Sequence, residues 1–264
     1  SFSGNLVAML PARLAYYLDL HGPAYVIDTS CSSSLSALHL ACQGIKTGDC
    51  EMAIASGINI FTIPLLNEIV GAIGILSPDG KAKSFDDSCE GVGQGEGVGA
   101  IFLKPLSKAI KDKDHIYAVI KSTAVNQDGK SIGITAPNAN AQEAVIVEAW
   151  ERANINPRTI SYIEAHGTAT KLGDPTEITG INRAFRRYTK NTQFCGVGSV
   201  KSNIGHTLGA AGVASVIKMA LALENKKIPA TIHFFKPNQR INFEASSVFI
   251  NDRLRFWDSD EIKR

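Results

Sequence analysis

Residues 28–39 read Asp28-Thr29-Ser30-Cys31-Ser32-Ser33-Ser34-Leu35-Ser36-Ala37-Leu38-His39. They follow the apolar run 24–27 and lead into apolar residues at three- and four-residue spacing, which is typical of a strand that turns into a helix. Cys31 lies at this turn, where unpaired backbone N–H groups and the positive end of the helix dipole stabilise an anion. Both favour the thiolate, the nucleophilic form of cysteine. We therefore expect Cys31 to be a reactive residue.

The other cysteines lack this setting. Free cysteines are usually small buried hydrophobic residues, and we interpret Cys42, Cys50, Cys89 and Cys195 in that way. Five cysteines with no C-x-x-C pair argue against a disulfide framework or a zinc knuckle and indicate a reducing compartment.

The composition is that of an ordinary globular chain. The 264 residues are 44% hydrophobic with a formal net charge of +2, so they can bury a large core and carry no nucleic-acid footprint. No run approaches the length of a membrane span, and the N-terminus lacks the layout of a signal peptide. We expect a cytoplasmic protein with no membrane span.

Strand-like and helix-like segments alternate along the chain, which predicts an α/β layered fold. Strands are predicted over 24–27, 52–60, 98–103, 116–125, 161–165 and 196–200, and helices over 32–46, 140–153, 174–188 and 207–224. The helix at 174 has Asp174 as predicted N-cap, Pro175 at its first position and Glu177 three residues after the cap.

Two further segments place a histidine in a glycine-adjacent turn after a short strand. They read Glu164-Ala165-His166-Gly167-Thr168-Ala169-Thr170 and Lys201-Ser202-Asn203-Ile204-Gly205-His206. Strand ends are where α/β folds place their chemistry. A metal site has no local ligand motif at these spacings, and a Cys-His protease would leave the second histidine without a role. We therefore expect Cys31, His166 and His206 to meet in one site.

A glycine-rich stretch at 91–99 precedes a strand-like run. A dinucleotide fingerprint would follow a strand and open a helix. The stretch therefore predicts a tight turn and close backbone packing beside the site.

The three motifs resemble, in order and spacing, the signatures of β-ketoacyl synthases, with the greatest likeness to ketosynthase domains of modular type I polyketide synthases. Segments 76–80, 124–129, 135–138 and 172–175 agree, so the resemblance covers essentially the whole chain. It implies an α/β thiolase-like fold, a five-layered α-β-α-β-α sandwich incomplete at both ends. Residues 1–112 would belong to its N-terminal half, and 113–264 to a C-terminal half that lacks its final oxyanion-loop segment. We expect an internal fragment of a larger ketosynthase.

The resemblance also implies an acyltransferase chemistry. Cys31 would accept an acyl chain from the phosphopantetheine of an acyl carrier protein, and a malonyl-type extender would lose CO₂ and attack it. His166 and His206 would stabilise the enolate, with Lys201 organising the histidines and Glu164 and Asn203 in support. The partners would be the carrier protein, a second copy in a homodimer and neighbouring synthase domains, with no directly bound cofactor or metal.

Two other functions compete with this one. A fatty-acid β-ketoacyl synthase is the first, although segments 124–129 and 135–138 favour the polyketide type. A non-condensing domain that only transfers or docks acyl chains is the second, although both His166 and His206 are present. Ala169 stands where the family usually has glycine, and we expect its methyl group to be tolerated at a negative φ.

Overall fold

The computed structural model describes residues 4, 6–62, 68, 71–72 and 74–257. The outer ends of the two predicted halves, at 1–3, 5 and 258–264, lie outside the described residues. The helices are α1 (Met9–Tyr17), α2 (Ser33–Thr47), α3 (Leu106–Asp112), α4 (Ala139–Ala153), α5 (Gly173–Arg186), α6 (Lys201–Ile204) and α7 (Ala211–Asn225). The strands are β1 (Ala53–Asn59), β2 (Gly97–Leu103), β3 (Tyr162–Glu164), β4 (Cys195–Gly198), β5 (Lys227–Ile228), β6 (Val248–Ile250) and β7 (Arg255–Phe256).

The strands pair in three groups. β1 and β2 are antiparallel, in a register that runs from Ala53 opposite Leu103 to Asn59 opposite Gly97. β3, β4 and β6 form a parallel sheet in that order, and β5 pairs with β7 in antiparallel fashion. The parallel sheet matters for function because His166 and Lys201 follow β3 and β4 within three residues.

Helix α7 lies between the β1–β2 pair and the parallel sheet, and α2 packs beside it. Leu38 of α2 packs with Ala55 and Leu103, and Val216 of α7 joins the same cluster. On its other side, α7 reaches β3 through Lys218. Helix α7 therefore separates the two sheets.

The second core lies between the parallel sheet and helices α4 and α5. Ile178 and Phe185 of α5 pack against Val197 and Val248, and Trp150 of α4 covers Phe185. These side chains are the apolar face of an amphipathic helix laid on a sheet. The order of layers in the described residues is thus β1–β2, α2–α7, parallel sheet, α4–α5.

A close seam joins the Cys31 helix to the start of α7. A Cβ at Gly57 of β1 would lie 2.7 Å from the carbonyl oxygen of Gly209 and 2.8 Å from Cβ of Ser34. Ser34 itself accepts a hydrogen bond from the backbone N–H of Val213 at 3.0 Å. Because Val213 lies in the first turn of α7, Ser34 satisfies one of the N–H groups that a helix start leaves free.

The helix predictions agree with the structure to within about two residues, which is the scale on which helix ends vary. The exception is the predicted helix 207–224, which begins as a 3₁₀ turn over Leu208–Ala210. Two strand predictions, 24–27 and 116–125, are wrong: neither segment joins a ladder among the described residues. Tyr25 and Val26 are instead exposed. An apolar pattern signals extended chain, but a strand also needs a partner to accept its hydrogen bonds.

One helical stretch has the length and composition of a candidate membrane span. Leu208–Asn225 has 18 residues and a mean hydropathy of 1.3, which meets the length and composition of a span. It also packs Val213 and Val216 towards β1 and β2 and holds Lys218 in a buried ion pair. A core helix shows the same properties, so the described residues contain no clear membrane span.

Candidate active site

Cys31 lies in a 3₁₀ turn, Ser30–Ser32, directly before α2. Ser30 has φ +57°, and its N–H donates to Oδ1 of Asp28 at 3.0 Å. Ser33 accepts from the N–H of Thr29 at 3.0 Å and donates to the carbonyl of Ser30 at 2.6 Å. The small polar residues around Cys31 therefore hold a sharp turn that presents its half-buried thiol at the start of a helix.

His206 is fixed by backbone contacts with the glycine-rich stretch. Its N–H donates to the carbonyl of Gly93 at 2.6 Å, and its carbonyl accepts from Gly95 at 3.1 Å. A Cβ at Gly95 would lie 2.2 Å from the carbonyl oxygen of Ile204. The predicted close packing of these glycines beside the site is confirmed, and only a glycine allows it at position 95.

The ring of His206 contacts the sulfur of Cys31. Its Nε2 lies 3.1 Å from Sγ of Cys31, and its Nδ1 accepts a hydrogen bond from the N–H of Leu208 at 3.1 Å. Because Nδ1 is an acceptor, the proton of a neutral ring resides on Nε2. His206 therefore directs an N–H donor at the sulfur.

His166 brings a second imidazole to the same place. It follows β3, and the centroids of the His166 and His206 rings are 5.3 Å apart at an interplanar angle of 88°. The structure thus places Cys31, His206 and His166 in succession, although their positions in the sequence span 175 residues. His166 remains partly exposed, which leaves room for a substrate atom beside it.

Two carboxylates of α5 hold the turn that carries His166. Glu177 accepts the N–H groups of His166 and Gly167 at 2.6 and 2.8 Å. Asp174 accepts those of Ala169 and Phe85 at 3.0 and 2.7 Å. The predicted N-cap and capping-box roles of these two acids are wrong, since α5 begins at Gly173 and Leu172 is its N-cap. Their spacing of three residues places both on one helical face. This spacing is the sequence pattern that could have indicated their shared role.

Ala169 departs from expectation in its backbone. Its φ is +61°, so the negative φ assumed for a tolerated methyl group is wrong. The left-handed conformation costs an L-residue about 1 kcal/mol. The residue is fully buried against Ala82 and Cys89, and its carbonyl accepts from Gly91 at 3.1 Å. The contacts of the turn therefore impose a conformation that the side chain does not favour.

The electrostatics keep both imidazoles neutral. Burial lowers the pKa of His166 to about 3, and the charge of Lys201 and the neighbouring His206 ring lower it further. Burial and Lys201 lower the pKa of His206 to about 4. Lys201 is only 2% exposed, and burial lowers its pKa while Glu177 and Glu164 oppose the change. At neutral pH the site offers two uncharged N–H donors beside a buried lysine.

We expect the ring nitrogens of His166 and His206 to show no titration between pH 8 and pH 5. Both pKa values lie below this range, so each ring takes up a proton only as the pH falls further. Nitrogen chemical shifts of ¹⁵N-histidine-labelled protein report protonation directly, with His166→Gln and His206→Gln to assign the two signals. A titration midpoint above pH 5 for either ring would contradict the neutral-donor assignment.

Glu164 lies at the end of β3 with its side chain 4% exposed. One oxygen accepts the N–H of Val200 at 2.6 Å, and the other pairs with Nζ of Lys218 at 2.5 Å. Asn203 is exposed, and its amide oxygen accepts from Ser202 at 3.2 Å rather than contacting either histidine. Lys218 was missed by the sequence reasoning, although a lysine that interrupts the small and apolar run 211–223 is a usable signal.

Two family models match the chain. Residues 1–109 match the N-terminal domain of β-ketoacyl synthases and residues 117–235 match the C-terminal domain. Polyketide synthase PksL of Bacillus subtilis is 47% identical over 93% of this chain, which spans 5% of that protein. The highly reducing polyketide synthase dmxL2 of Cryptosporiopsis is 44% identical over the whole chain, which spans 12% of it.

A solved structure shows the same fold. The ketosynthase from module 6 of the bacillaene synthase from Bacillus subtilis superposes with a TM-score of 0.95 and 44% identity over 98% of this chain. The chain spans 47% of that structure, about half of its length. This match confirms the predicted α/β thiolase-like fold.

Proposed function

The chain belongs to the β-ketoacyl synthase family, and from this premise we propose that it catalyses decarboxylative Claisen condensation in polyketide biosynthesis. The observation that carries the proposal is the convergence of one thiol and two neutral imidazoles. The sulfur of Cys31 lies 3.1 Å from Nε2 of His206, whose ring lies beside that of His166. A nucleophile and two hydrogen-bond donors are what a covalent acyl transfer followed by an enolate reaction requires.

The first step transfers an acyl group to Cys31. The thiolate attacks the thioester carbonyl of an acyl chain held on phosphopantetheine, and the phosphopantetheine sulfur leaves as a thiolate. The Nε2–H group of His206 stabilises the attacking sulfur anion, because a charge-assisted hydrogen bond is stronger than a neutral one. The covalent acyl-cysteine then divides the reaction into two easier steps.

The second step forms the carbon–carbon bond. A malonyl-type thioester loses CO₂, and the electron pair of the broken bond forms an enolate. His166 and His206 donate hydrogen bonds to the enolate oxygen, where one well-placed donor contributes roughly 3–4 kcal/mol. The α-carbon attacks the acyl carbonyl on Cys31, and the Cys31 thiolate leaves. The product is a β-ketoacyl thioester.

Lys201, Glu164 and Asn203 support this site. Burial first, and then the positive charge of Lys201, lower the pKa of both imidazoles. The same charge favours the anionic enolate electrostatically. Glu164 holds the backbone at Val200, directly before Lys201. Asn203 supports the same short helix from its exposed side.

The proposed partners follow from the substrates. An acyl carrier protein delivers both thioesters on its phosphopantetheine arm, and the chain acts in the cytoplasm within a multidomain synthase as a homodimer. Residues 1–112 and 113–264 form its nucleophile-bearing and histidine-bearing halves. The curated relatives named above are polyketide synthases, so neither a fatty-acid synthase nor a non-condensing domain is favoured.

Acyl labelling of Cys31 tests the proposal. We expect an acyl carrier-protein thioester to add the acyl mass to the peptide that contains Cys31 in the full-length protein, and added malonyl carrier protein to yield CO₂ and a β-ketoacyl product. Cys50→Ser serves as a matched control, because Cys50 is also partly buried but lies at the end of a helix. Acylation at another residue, or loading without condensation, would overturn the assignment.

A further inference from the structure

Lys218 and Glu164 form an ion pair inside the protein. Their side chains are 9% and 4% exposed, and Nζ lies 2.5 Å from Oε2. Lys218 also donates to the hydroxyl of Tyr162 at 3.0 Å. Each buried charge loses its hydration, so removing one partner leaves the other uncompensated. The ion pair therefore carries a desolvation cost, and a role in the candidate site would account for it.

Glu164 connects this pair to the candidate catalytic turn. Its second oxygen, Oε1, accepts the N–H of Val200 at 2.6 Å, and Lys201 is the next residue. Helix α6 then leads through Gly205 to His206. One carboxylate thus contacts Lys218 on one side and the start of the histidine turn on the other.

Helix α7 contacts both sides of the candidate site. Near its start the N–H of Val213 donates to Ser34, three residues after Cys31. Five residues further along, Lys218 contacts Glu164. A shift of this helix relative to the sheet would alter the position of the thiol relative to the imidazoles.

The charges near Lys201 show why the partner of Glu164 matters. Lys201 is 2% exposed, and Glu177 and Glu164 are near enough to raise its pKa against the effect of burial. Among the residues that the structure describes, Glu164 forms its ion pair with Lys218 and not with Lys201. A Glu164 without Lys218 would be a buried carboxylate with Lys201 as an available cation.

We infer that Lys218 is a positioning residue for the condensation step: by pairing with Glu164 it keeps that carboxylate from binding Lys201 and holds the Lys201–His206 turn against Cys31. This inference rests on the proposed function. The turn contributes only the donor of His206 to acylation, whereas condensation uses both His206 and the charge of Lys201. We therefore expect the loss of Lys218 to slow condensation far more than acylation of Cys31.

The test compares Lys218→Met with a double variant in the full-length protein. We expect Lys218→Met to acylate Cys31 within about threefold of wild type and to condense about a hundredfold more slowly, since small displacements near reacting groups have effects of this size. In Lys218→Met with Glu164→Gln, the amide oxygen still accepts from Val200 but has no charge to attract Lys201. We expect this double variant to condense at least about tenfold faster than Lys218→Met alone, a difference of about 1.4 kcal/mol in barrier.

Lys227→Met, an exposed lysine just after α7, controls for the substitution itself. The inference is overturned by wild-type condensation in Lys218→Met, by equal losses in acylation and condensation, or by a double variant no faster than the single one. If Lys218→Met fails to fold, the double variant is the test, because it leaves neither charge unpaired. Condensation by the double variant within about thirtyfold of wild type then supports the inference, and a larger loss overturns it. A wild-type protein that does not condense refutes the proposed function and not the role of Lys218.

Discussion

Replacing His166 by alanine is expected to lower the rate of condensation by about 10²–10³-fold while Cys31 still accepts acyl groups. The reason lies in the geometry. Nε2 of His206 already contacts the sulfur of Cys31, so the acylation step keeps its donor. The enolate loses one of two neutral donors that the protein holds in place before the extender arrives.

The two steps can be measured apart in one sample. Mass spectrometry of the Cys31 peptide reports acylation, and release of ¹⁴CO₂ from labelled malonyl carrier protein reports the second step. His115→Ala is a suitable control, because His115 is an exposed histidine that pairs with Glu224. Normal condensation by His166→Ala would refute the enolate role, and lost acylation would place His166 in the first step instead.

Replacing Gly95 by alanine is expected to destabilise the protein by about 1–3 kcal/mol and to abolish measurable condensation. The new Cβ would lie 2.2 Å from the carbonyl oxygen of Ile204, which is backbone and has no rotamer to escape into. Relief of this clash must separate residue 95 from Gly205 and His206, which breaks the bond from Gly95 to the His206 carbonyl.

Gly97→Ala supplies a matched control two residues away. Its Cβ would meet the methyl group of Thr207 at 3.5 Å, an ordinary contact, so we expect nearly wild-type stability and activity. Thermal unfolding followed by circular dichroism, together with the condensation assay, separates the two variants. Equal behaviour of the two glycine variants would show that the backbone approach at position 95 does not position His206.

The three candidate residues were predictable because each lies in a recognisable local pattern. A cysteine at a helix start and two histidines after strand ends were each visible in short segments, and the structure brings Cys31, His166 and His206 together. The glycine-rich stretch was likewise interpreted correctly, since its position before a strand excluded a nucleotide loop.

The rest depends on contacts between distant segments. Lys218 and Glu164 are 54 residues apart, and no local pattern links a helix lysine to a strand-end carboxylate across two layers. The left-handed φ of Ala169 is imposed by Asp174 and Gly91, against the preference of the residue itself. The prediction of a strand at 24–27 was wrong for a related reason. A hydrogen-bonded ladder needs two segments, whereas an apolar sequence pattern describes only one of them.

The hydrogen bond between Ser34 and Val213 has a consequence for engineering hybrid synthases. It links α2, which follows the proposed nucleophile Cys31, to α7 of the proposed C-terminal half. A Cβ at Gly57 would clash with both segments where they meet. A chimaera spliced between the two proposed halves is therefore expected to pack poorly at this contact unless positions 34, 57 and 213 come from one parent. Crossovers at the outer edges of the domain leave that contact intact.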